Sequence, residues 1–430
     1  MGGVYILQPY AEMVVHNIGV LATCAGGIKK GRDMLDAGLV EGAAVAVSGG
    51  RILAAGREDE VKGAVRTDGR TKFIDAMGCL VTPGLVDCHT HMLHAGSREK
   101  ELAWKLEGKS YLEILSAGGG ILSTVRETRR AGDEILLMQT KKRLARALAH
   151  GTTTVEIKSG YGLSVEEELR ALRLVRRLQR EQPVELVPTF LGAHAVPEEC
   201  KNEPDRYVDL VCREMIPRVA REKLALFNDV FCEEGVFTVD QSRSILQAGL
   251  AHGLRPKIHA DEMAGSGGAE LAAEVGAVSA DHLLHVSPRG VRALAASGTV
   301  AVLLPGTAYY LASGHYAPAR ALIEAGVPVA VASDANPGSC PTEALQSLFN
   351  MACLYLRLRP AEVLNAMTVN AAAALGLVGR LGSLEPGRQA DLVIWDAPNL
   401  DYPAYHFGVN LVRQVIKTGQ IIGRGEECAC

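Results

Sequence analysis

The sequence predicts an α/β fold: a TIM-like (β/α)8 barrel with a small β-sandwich domain formed from both chain termini. In the middle of the chain, eight short apolar runs are each followed by a polar loop and a helical stretch rich in Ala, Leu and Arg. This alternation is typical of parallel βα units. Short β-like segments occupy both ends instead. The length of 430 residues fits one barrel with a smaller accessory domain.

The two chain ends are expected to complete one sheet domain together. Gly49 and Gly50 supply a two-residue hairpin turn between two of the predicted strands. We expect residues 1–78 and 380–430 to form this composite β domain, and residues 79–379 to form the catalytic barrel. The predicted terminal strands lie at 14–20, 43–48, 51–55, 390–395 and 412–417.

The central part of the chain supplies the predicted barrel. Segments 136–149 and 165–180 carry apolar residues at helical spacing with charged residues between them, which predicts helices of the outer ring. The active site of such a barrel lies at the carboxyl ends of its strands, so functional residues are expected there. The predicted barrel strands lie at 85–88, 153–157, 185–190, 226–231, 257–260, 277–280, 300–304 and 329–332.

The composition excludes several classes of function. The chain is 48% hydrophobic and 22% charged, which predicts a large folded core. Its net charge of −4, without a long Lys/Arg block, is unlike that of proteins that bind nucleic acid or anionic membranes. Ten cysteines without a paired C-x-x-C framework indicate a reduced compartment, and neither a leader nor a membrane span is evident. We therefore expect a cytoplasmic enzyme with a small-molecule substrate.

The strongest local motif is Asp87-Cys88-His89-Thr90-His91, directly after an apolar run. Alternation along a strand points His89 and His91 to the same side, so two imidazoles can share one metal ion. By itself this spacing fits a structural role as well as metal ligation.

Three later predicted strands end in further residues that can bind metal or transfer protons: His259, His282 and Asp334. In a barrel these side chains converge on one mouth, where nitrogen and oxygen ligands suit Zn²⁺ or Fe²⁺. Taken singly, His282 also fits a buried structural histidine. The four strand ends together predict a metal centre.

These motifs resemble the amidohydrolase superfamily over nearly the whole chain. The resemblance runs from the segment 83–91 to the closing Gly382-Ser383-Leu384-Glu385-Pro386-Gly387. It implies a single-metal hydrolase that opens the cyclic amide 4-imidazolone-5-propanoate to N-formimino-L-glutamate in histidine degradation. It also implies one divalent or trivalent ion per subunit, Zn or Fe, and a homodimer. The finer similarity rests on Arg98 and on segments 117–120, 156–162, 192–194, 259–262 and 334–339.

The same resemblance implies a role for individual residues. The implied metal ligands are His89, His91, His259 and Asp334. The implied substrate contacts are Arg98, Tyr161, His194, Glu262, Asn336, Gly338 and Ser339, and the implied catalytic residues are His282, Asp334 and Glu262.

Elementary chemistry supports these roles. The Arg98 guanidinium can hold the propionate through two charge-assisted hydrogen bonds, although a surface ion pair is the alternative. Tyr161 and His194 could donate further hydrogen bonds. Asp334 could accept the proton of metal-activated water while His282 steadies the oxyanion, and Asp334 or Glu262 could protonate the leaving ring nitrogen. Glu262 also fits a purely substrate-binding role.

Three alternatives remain open on the sequence alone. Lys158 lies near a strand end, where a carboxylated lysine would bridge two metal ions. A purine or pyrimidine deaminase would share the metal ligands without needing Arg98 and Tyr161. A catalytically silent scaffold would typically lose metal ligands. The segment Ala117-Gly118-Gly119-Gly120 is expected to be a mobile loop that closes over the substrate.

Overall fold

The computed structural model describes residues 8–109, 113 and 117–424. Strands from both chain ends form one sheet and the central strands form a second. The amino-terminal strands are β1 (Met13–Ala22), β2 (Leu39–Ser48), β3 (Arg51–Arg57), β4 (Lys72–Asp75) and β5 (Leu80–Pro83). The central strands are β6 (Leu85–Asp87), β7 (Thr152–Lys158), β8 (Glu185–Ala193), β9 (Phe227–Cys232), β10 (Arg255–Ala260), β11 (Ser279–His282), β12 (Val300–Leu303) and β13 (Val329–Val331). The last three are β14 (Leu392–Trp395), β15 (Val412–Lys417) and β16 (Gln420–Arg424).

The terminal sheet is mixed and contains eight strands, in the order β16-β15-β14-β5-β1-β2-β3, with β4 beside β1. Apolar side chains from both chain ends bury a shared core in it, among them Val15, Val45 and Ile394. The predicted hairpin turn is present, since Gly49 and Gly50 have φ of 54° and 71°, values in the left-handed region that glycine adopts without strain. The β-sandwich domain built from both termini is confirmed.

The predicted domain boundary between residues 78 and 79 stays a proposal. The pairing of strand β5, which lies just after that boundary, bears on it. Strand β5 pairs with β1 and β14 and so belongs to the terminal sheet. Residues 1–7 and 425–430 of the proposed terminal domain lie outside the described residues.

The central strands β6 to β13 are neighbours in chain order, and every pair is parallel. The first and last strands meet just beyond their ends, where Asp334 N donates to His89 O at 3.0 Å and His91 N donates to Ala335 O at 2.9 Å. Thr90 and Ala335 form a parallel bridge at the same place. The predicted barrel is confirmed, and its closing contacts bring the first and last strand ends together.

Most of the predicted barrel strands match the structure within a few residues, and the sixth is displaced. It was expected at 277–280 and spans Ser279–His282. Ala277 instead lies in the turn that follows the preceding helix, where its amide donates to Ala272 O at 2.8 Å. His282 is therefore the last residue of the strand rather than a residue after it.

Helices cover the outside of the barrel, and the longest pair matches the predicted segments 136–149 and 165–180. The helix Val165–Glu181 buries Leu169, Leu172 and Val175 and has three glutamates in its first turn, which favours its macrodipole. No helix among the described residues is long and apolar enough to cross a membrane. The helices are α1 (Glu58–Ala64), α2 (Glu99–Leu106), α3 (Ile121–Arg130), α4 (Asp133–Ala149), α5 (Val165–Glu181), α6 (Pro204–Leu210), α7 (Ile216–Arg221), α8 (Val239–Ala251), α9 (Gly268–Glu274), α10 (Pro288–Ser297), α11 (Pro305–Tyr310), α12 (Ala319–Glu324), α13 (Ser347–Tyr355), α14 (Pro360–Met367), α15 (Val369–Ala374) and α16 (Asp401–Tyr405).

Candidate active site

Four side chains converge at the mouth of the barrel. His91 Nε2 lies 3.3 Å from His89 Nε2 and 3.5 Å from His259 Nε2. Asp334 Oδ1 lies 3.4 Å from His91 Nε2 and 3.6 Å from His89 Nε2. These four separations of 3.3–3.6 Å equal the edge of a tetrahedron whose centre lies about 2.0–2.2 Å from each corner, the usual length of a Zn–N or Zn–O bond. Two overlapping groups of side chains can hold a divalent metal ion here, His89 with His91 and Asp334, and His89 with His259 and His282.

His89 and His259 are each oriented by an aspartate that binds the ring nitrogen Nδ1. His89 Nδ1 donates to Asp281 Oδ2 at 2.6 Å, and His259 Nδ1 donates to Asp229 Oδ1 at 3.2 Å. Each contact leaves Nε2 as the unprotonated nitrogen that faces the metal position. Burial lowers the pKa of His89 and His91 well below the ordinary range, so both are neutral, as metal ligation requires.

Asp334 is oriented by a neighbouring hydroxyl. Thr307 Oγ1, in the first turn of α11, donates to Asp334 Oδ2 at 2.6 Å and leaves Oδ1 toward the histidines. Burial raises the pKa of Asp334 to about 6, close to neutral pH. A carboxyl group with this pKa can accept and return a proton under physiological conditions.

The Lys158 side chain is fully buried behind the metal-facing histidines. Its Nζ lies 2.7 Å from Asp229 Oδ2, 3.0 Å from Glu156 Oε2 and 3.5 Å from Asp281 Oδ2. Burial opposes the charged form, but the three carboxylates together raise the pKa of Lys158 above its ordinary range. A carbamate on this amine would place a fourth anionic group in the same buried space. The contacts therefore disfavour a carboxylated lysine bridging two metal ions.

A cavity of about 210 Å³ opens above the metal position. Six of the seven residues expected to contact substrate line it, together with apolar side chains that include Ile121, Phe231 and Met263. Gly338, the seventh, contacts one of these residues closely, because a Cβ atom on it would lie 1.9 Å from Arg98 Nη1. The six lining residues are Arg98, Tyr161, His194, Glu262, Asn336 and Ser339.

Arg98 is held by a buried carboxylate at the start of α2. Its Nε and Nη2 donate to the two oxygens of Glu101 at 2.8 Å and 2.7 Å. The side chains are only 16% and 8% exposed, so this pair differs from the surface ion pair weighed as the alternative. Gly120 N also donates to Glu101, at 2.9 Å. Glu101 thus joins Arg98 to the end of the 117–120 segment, whose expected motion stays a prediction.

His194 stacks on the metal-site residue His91, with ring centroids 4.7 Å apart and planes inclined by 14°. Its Nδ1 donates to Gly160 O at 3.1 Å, and burial lowers its pKa to about 3, so the ring is neutral and Nε2 is an acceptor. This differs from the donor role expected from the sequence. Tyr161 lies beside it, 5.4 Å between ring centroids, and burial raises its pKa, so the phenol keeps its proton.

Glu262 and His282 lie together at the cavity wall, with His282 Nε2 3.6 Å from Glu262 Oε2. Burial raises the pKa of Glu262 to about 8, with Asp334 and Glu233 adding to the effect. Burial also lowers the pKa of His282 well below the ordinary range. At neutral pH this pair therefore consists of a protonated carboxyl group and an uncharged imidazole.

The turn after the last barrel strand is built by Asn336. Its Oδ1 accepts from Gly338 N and Ser339 N, each at 2.8 Å, and its Nδ2 donates to Asp334 O at 2.6 Å. The amide of Asn336 is therefore occupied within the turn. It shapes the cavity wall around Gly338 and Ser339.

Several residues that orient the site were not found by sequence reasoning. Asp281 directly precedes His282, and Glu101 follows Arg98 by one helical turn. Their position next to a predicted site residue was the only feature of the sequence that could have pointed to them. Thr307 and Glu233 lie far in the chain from the residues they contact and carried no signal. Glu233 Oε2 accepts from the amides of Glu262 and Met263 at 3.0 Å and 2.8 Å.

Comparisons with known proteins show which family and which fold the chain shares. A model of the amidohydrolase family matches residues 80–423. The imidazolonepropionase of Alkaliphilus oremlandii is 52% identical over 413 residues, covering 96% of this chain and 98% of the relative. That of Shouchella clausii is 53% identical over 416 residues, covering 96% and 92%. A zinc-bound adenosine deaminase from Xanthomonas campestris has a TM-score of 0.71 at 19% identity, over 96% of this chain and 93% of that one, a likeness of fold alone.

Proposed function

The chain belongs to the imidazolonepropionases within the amidohydrolase family, and we propose that it hydrolyses 4-imidazolone-5-propanoate to N-formimino-L-glutamate in histidine degradation. The observation that carries the proposal is one cavity lined by both the metal site and the buried Arg98 guanidinium. A propionate bound by Arg98 would direct the attached ring toward the metal position. A purine or pyrimidine base carries no carboxylate for this guanidinium to hold.

Substrate binding would use the donors and acceptors left free in the cavity. Arg98 keeps Nη1 outside its contact with Glu101 and can donate it to the propionate. The Tyr161 phenol can donate a further hydrogen bond. His194 Nε2, an acceptor, fits a ring N–H group, and the Ser339 hydroxyl lies on the same wall.

The reaction adds water across the ring C–N bond, with oxygen going to the carbonyl carbon and hydrogen to the nitrogen. A divalent ion bound to His89, His91, His259 and Asp334 would make a water molecule acidic enough to lose a proton near neutral pH. Asp334, which Thr307 orients beside the metal position, accepts that proton. His282 lies where it can stabilise the oxyanion that forms on the attacked carbonyl.

The leaving nitrogen needs a proton, and we assign its delivery to Glu262. Its pKa of about 8 keeps it protonated at neutral pH. It lines the cavity beside His282, so it can both hydrogen-bond the substrate and donate to it. Asp334 then returns the proton taken from water to the solvent or to Glu262.

Three finer points belong to the same proposal. The three-imidazole, one-carboxylate donor set suits Zn²⁺ or Fe²⁺, and metal analysis of the purified protein should find one such ion per subunit. We also propose a cytoplasmic location, since the eight cysteines that the structure describes are all free thiols. A homodimer is proposed from the family resemblance, and sedimentation analysis tests it.

The decisive experiment offers the purified enzyme 4-imidazolone-5-propanoate and follows the loss of ring absorbance, with guanine and cytosine as competing candidates. We expect turnover of the imidazolone alone. Asp334→Ala serves as the inactive reference and should retain the fold by circular dichroism. Deamination of either base without imidazolone turnover would replace the proposal with the deaminase alternative, and a folded protein without bound metal would favour the scaffold.

A further inference from the structure

The buried cluster behind the metal site shares one cation between two histidine-orienting carboxylates. Asp229 turns Oδ1 to His259 Nδ1 and Oδ2 to Lys158 Nζ, at 3.2 Å and 2.7 Å. Asp281 Oδ2 accepts from His89 Nδ1 at 2.6 Å and lies 3.5 Å from the same Nζ. Lys158 therefore contacts both aspartates that bind proposed metal ligands, Asp229 beside His259 and Asp281 beside His89.

Because this cluster is buried, the positions of its carboxylates depend on the charge of Lys158. Lys158, Asp229, Asp281 and Glu156 have no solvent-exposed side-chain surface, so water can neither screen their charges nor replace a lost partner. Without Lys158, Asp229 and Asp281 would have no other ammonium group of the described residues within ion-pair distance, so they would repel each other and lose their fixed positions. The histidines that donate to them would then lose their orientation.

We propose that Lys158 is a positioning residue for the metal site. Its ammonium group holds Asp229 and Asp281 where they orient His259 and His89, so the ligands are arranged before the metal ion arrives. The structure gives Lys158 no contact with the cavity or with the metal-facing nitrogens, so it acts through the two aspartates. The proposal rests on the metal site and is independent of which substrate the enzyme uses.

The chain contains a matched control in Lys257. Its side chain is equally buried, and its Nζ contacts Glu156 Oε1 at 2.8 Å and Cys88 O at 3.1 Å. Among the described residues its one ion pair is with Glu156; its charge also acts on Asp281 from beyond ion-pair distance, whereas Asp229 has Lys158 as its ion-pair partner. Removing Lys257 costs the fold a buried cation and leaves the ion pairs of Lys158 with Asp229 and Asp281 in place.

The test measures Zn²⁺ affinity of metal-free Lys158→Met, Lys158→Arg and Lys257→Met by competition with a chromophoric chelator, alongside their thermal unfolding. We expect K158M to bind Zn²⁺ about 10–100-fold more weakly, the range found when partners of metal ligands are lost. K158R should recover part of the affinity, and K257M, which keeps both ion pairs of Lys158, should lose clearly less affinity than K158M although it also unfolds earlier. Equal weakening in K158M and K257M, or unchanged affinity in K158M, would overturn the proposal.

If K158M does not fold, Asp229→Asn is measured in its place. It removes one carboxylate charge and keeps the side-chain shape, so it should also weaken Zn²⁺ binding, and unchanged affinity would count against the proposal. Because the probe is the metal ion alone, an enzyme inactive toward the imidazolone would refute the proposed function and leave this result standing.

Discussion

Individual carboxylates in this site differ in role because their partners differ. Glu101 binds two nitrogens of Arg98 and is an anion, whereas Glu262 pairs with no Lys or Arg of the described residues and burial raises its pKa to about 8. Both are glutamates near cavity residues, and the sequence alone distinguishes neither. The metal-competent residues could be predicted because each lies at the end of an apolar strand or just after it. Glu101, Thr307 and Glu233 could not, because their roles depend on which loops pack together.

Removing the charge of Glu101 should impair substrate binding more than chemistry. In Glu101→Gln one acceptor for Arg98 becomes a donor and the other loses its negative charge, so the guanidinium is less firmly oriented. We expect KM for the imidazolone to rise about 10-fold while kcat changes by less than about threefold.

A matched control and a double-mutant cycle make this specific. Glu127→Gln removes an exposed carboxylate from α3 and should change neither constant. In an Arg98→Ala background E101Q should add little to KM. A full additional effect in that background would mean that Glu101 acts by another route.

The raised pKa of Glu262 predicts a pH dependence of stability. Between the ordinary value of 4.5 and about 8 the folded chain keeps a proton that the unfolded chain has lost. Stability therefore falls as pH rises through this window, by up to about 1.4 kcal/mol per pH unit from this one group. Glu262→Gln removes the titration, so metal-free E262Q should lose less Tm than the parent between about pH 5.5 and about pH 7.5. Parallel Tm curves for the two proteins would show that Glu262 is already ionised.

At the scale of single elements, the ends of the barrel strands position the chemistry. His282 ends β11 and Asp334 follows β13, and both have positive φ, 77° and 54°. Such backbone is uncommon in residues other than glycine and clusters at functional sites. It turns the chain sharply at the strand end. Sequence periodicity locates the strand but carries no signal for this turn, which is one reason why the sixth strand was placed two residues early.

The turn that Asn336 builds should tolerate no side chain at Gly338. A Cβ atom there would lie 1.9 Å from Arg98 Nη1, so Gly338→Ala must displace the guanidinium. We expect KM to rise at least about 10-fold with the fold retained. Gly132→Ala is the control, because a Cβ at Gly132 meets nothing within 4 Å. An unchanged KM in G338A would mean that Arg98 does not bind the substrate carboxylate.

At the scale of the whole molecule, the barrel was predictable and the terminal sheet only in part. Apolar runs of parallel strands are visible without knowledge of their partners. By contrast, β4 is short and largely exposed, and β5 is separated from barrel strand β6 by Gly84 alone. The assignment of β5 to the terminal sheet depends on its pairing with β1 and with the distant β14. Such long-range pairing leaves no local pattern in the sequence.

Metal binding should stabilise the whole barrel, because the proposed ligands come from its first, fifth and eighth strands. Any ion that binds the folded chain alone stabilises it by mass action, by about 3 kcal/mol at a hundredfold excess over Kd. We expect Tm to fall by several degrees on chelation and to recover on adding Zn²⁺. In the Asp334→Ala protein the same treatment should have little effect. An equal shift in that variant would place the stabilising ion elsewhere.

The closing contacts between His89 and Asp334 also have a meaning for biosynthesis. A nascent chain emerging from the ribosome presents the first histidine pair long before the aspartate that completes the set. The proposed set of metal ligands can therefore assemble only after nearly all of the barrel has been translated and its eighth strand has docked. Incomplete translation products would therefore have no hydrolase activity. In the cell, activity would appear only once the barrel has closed.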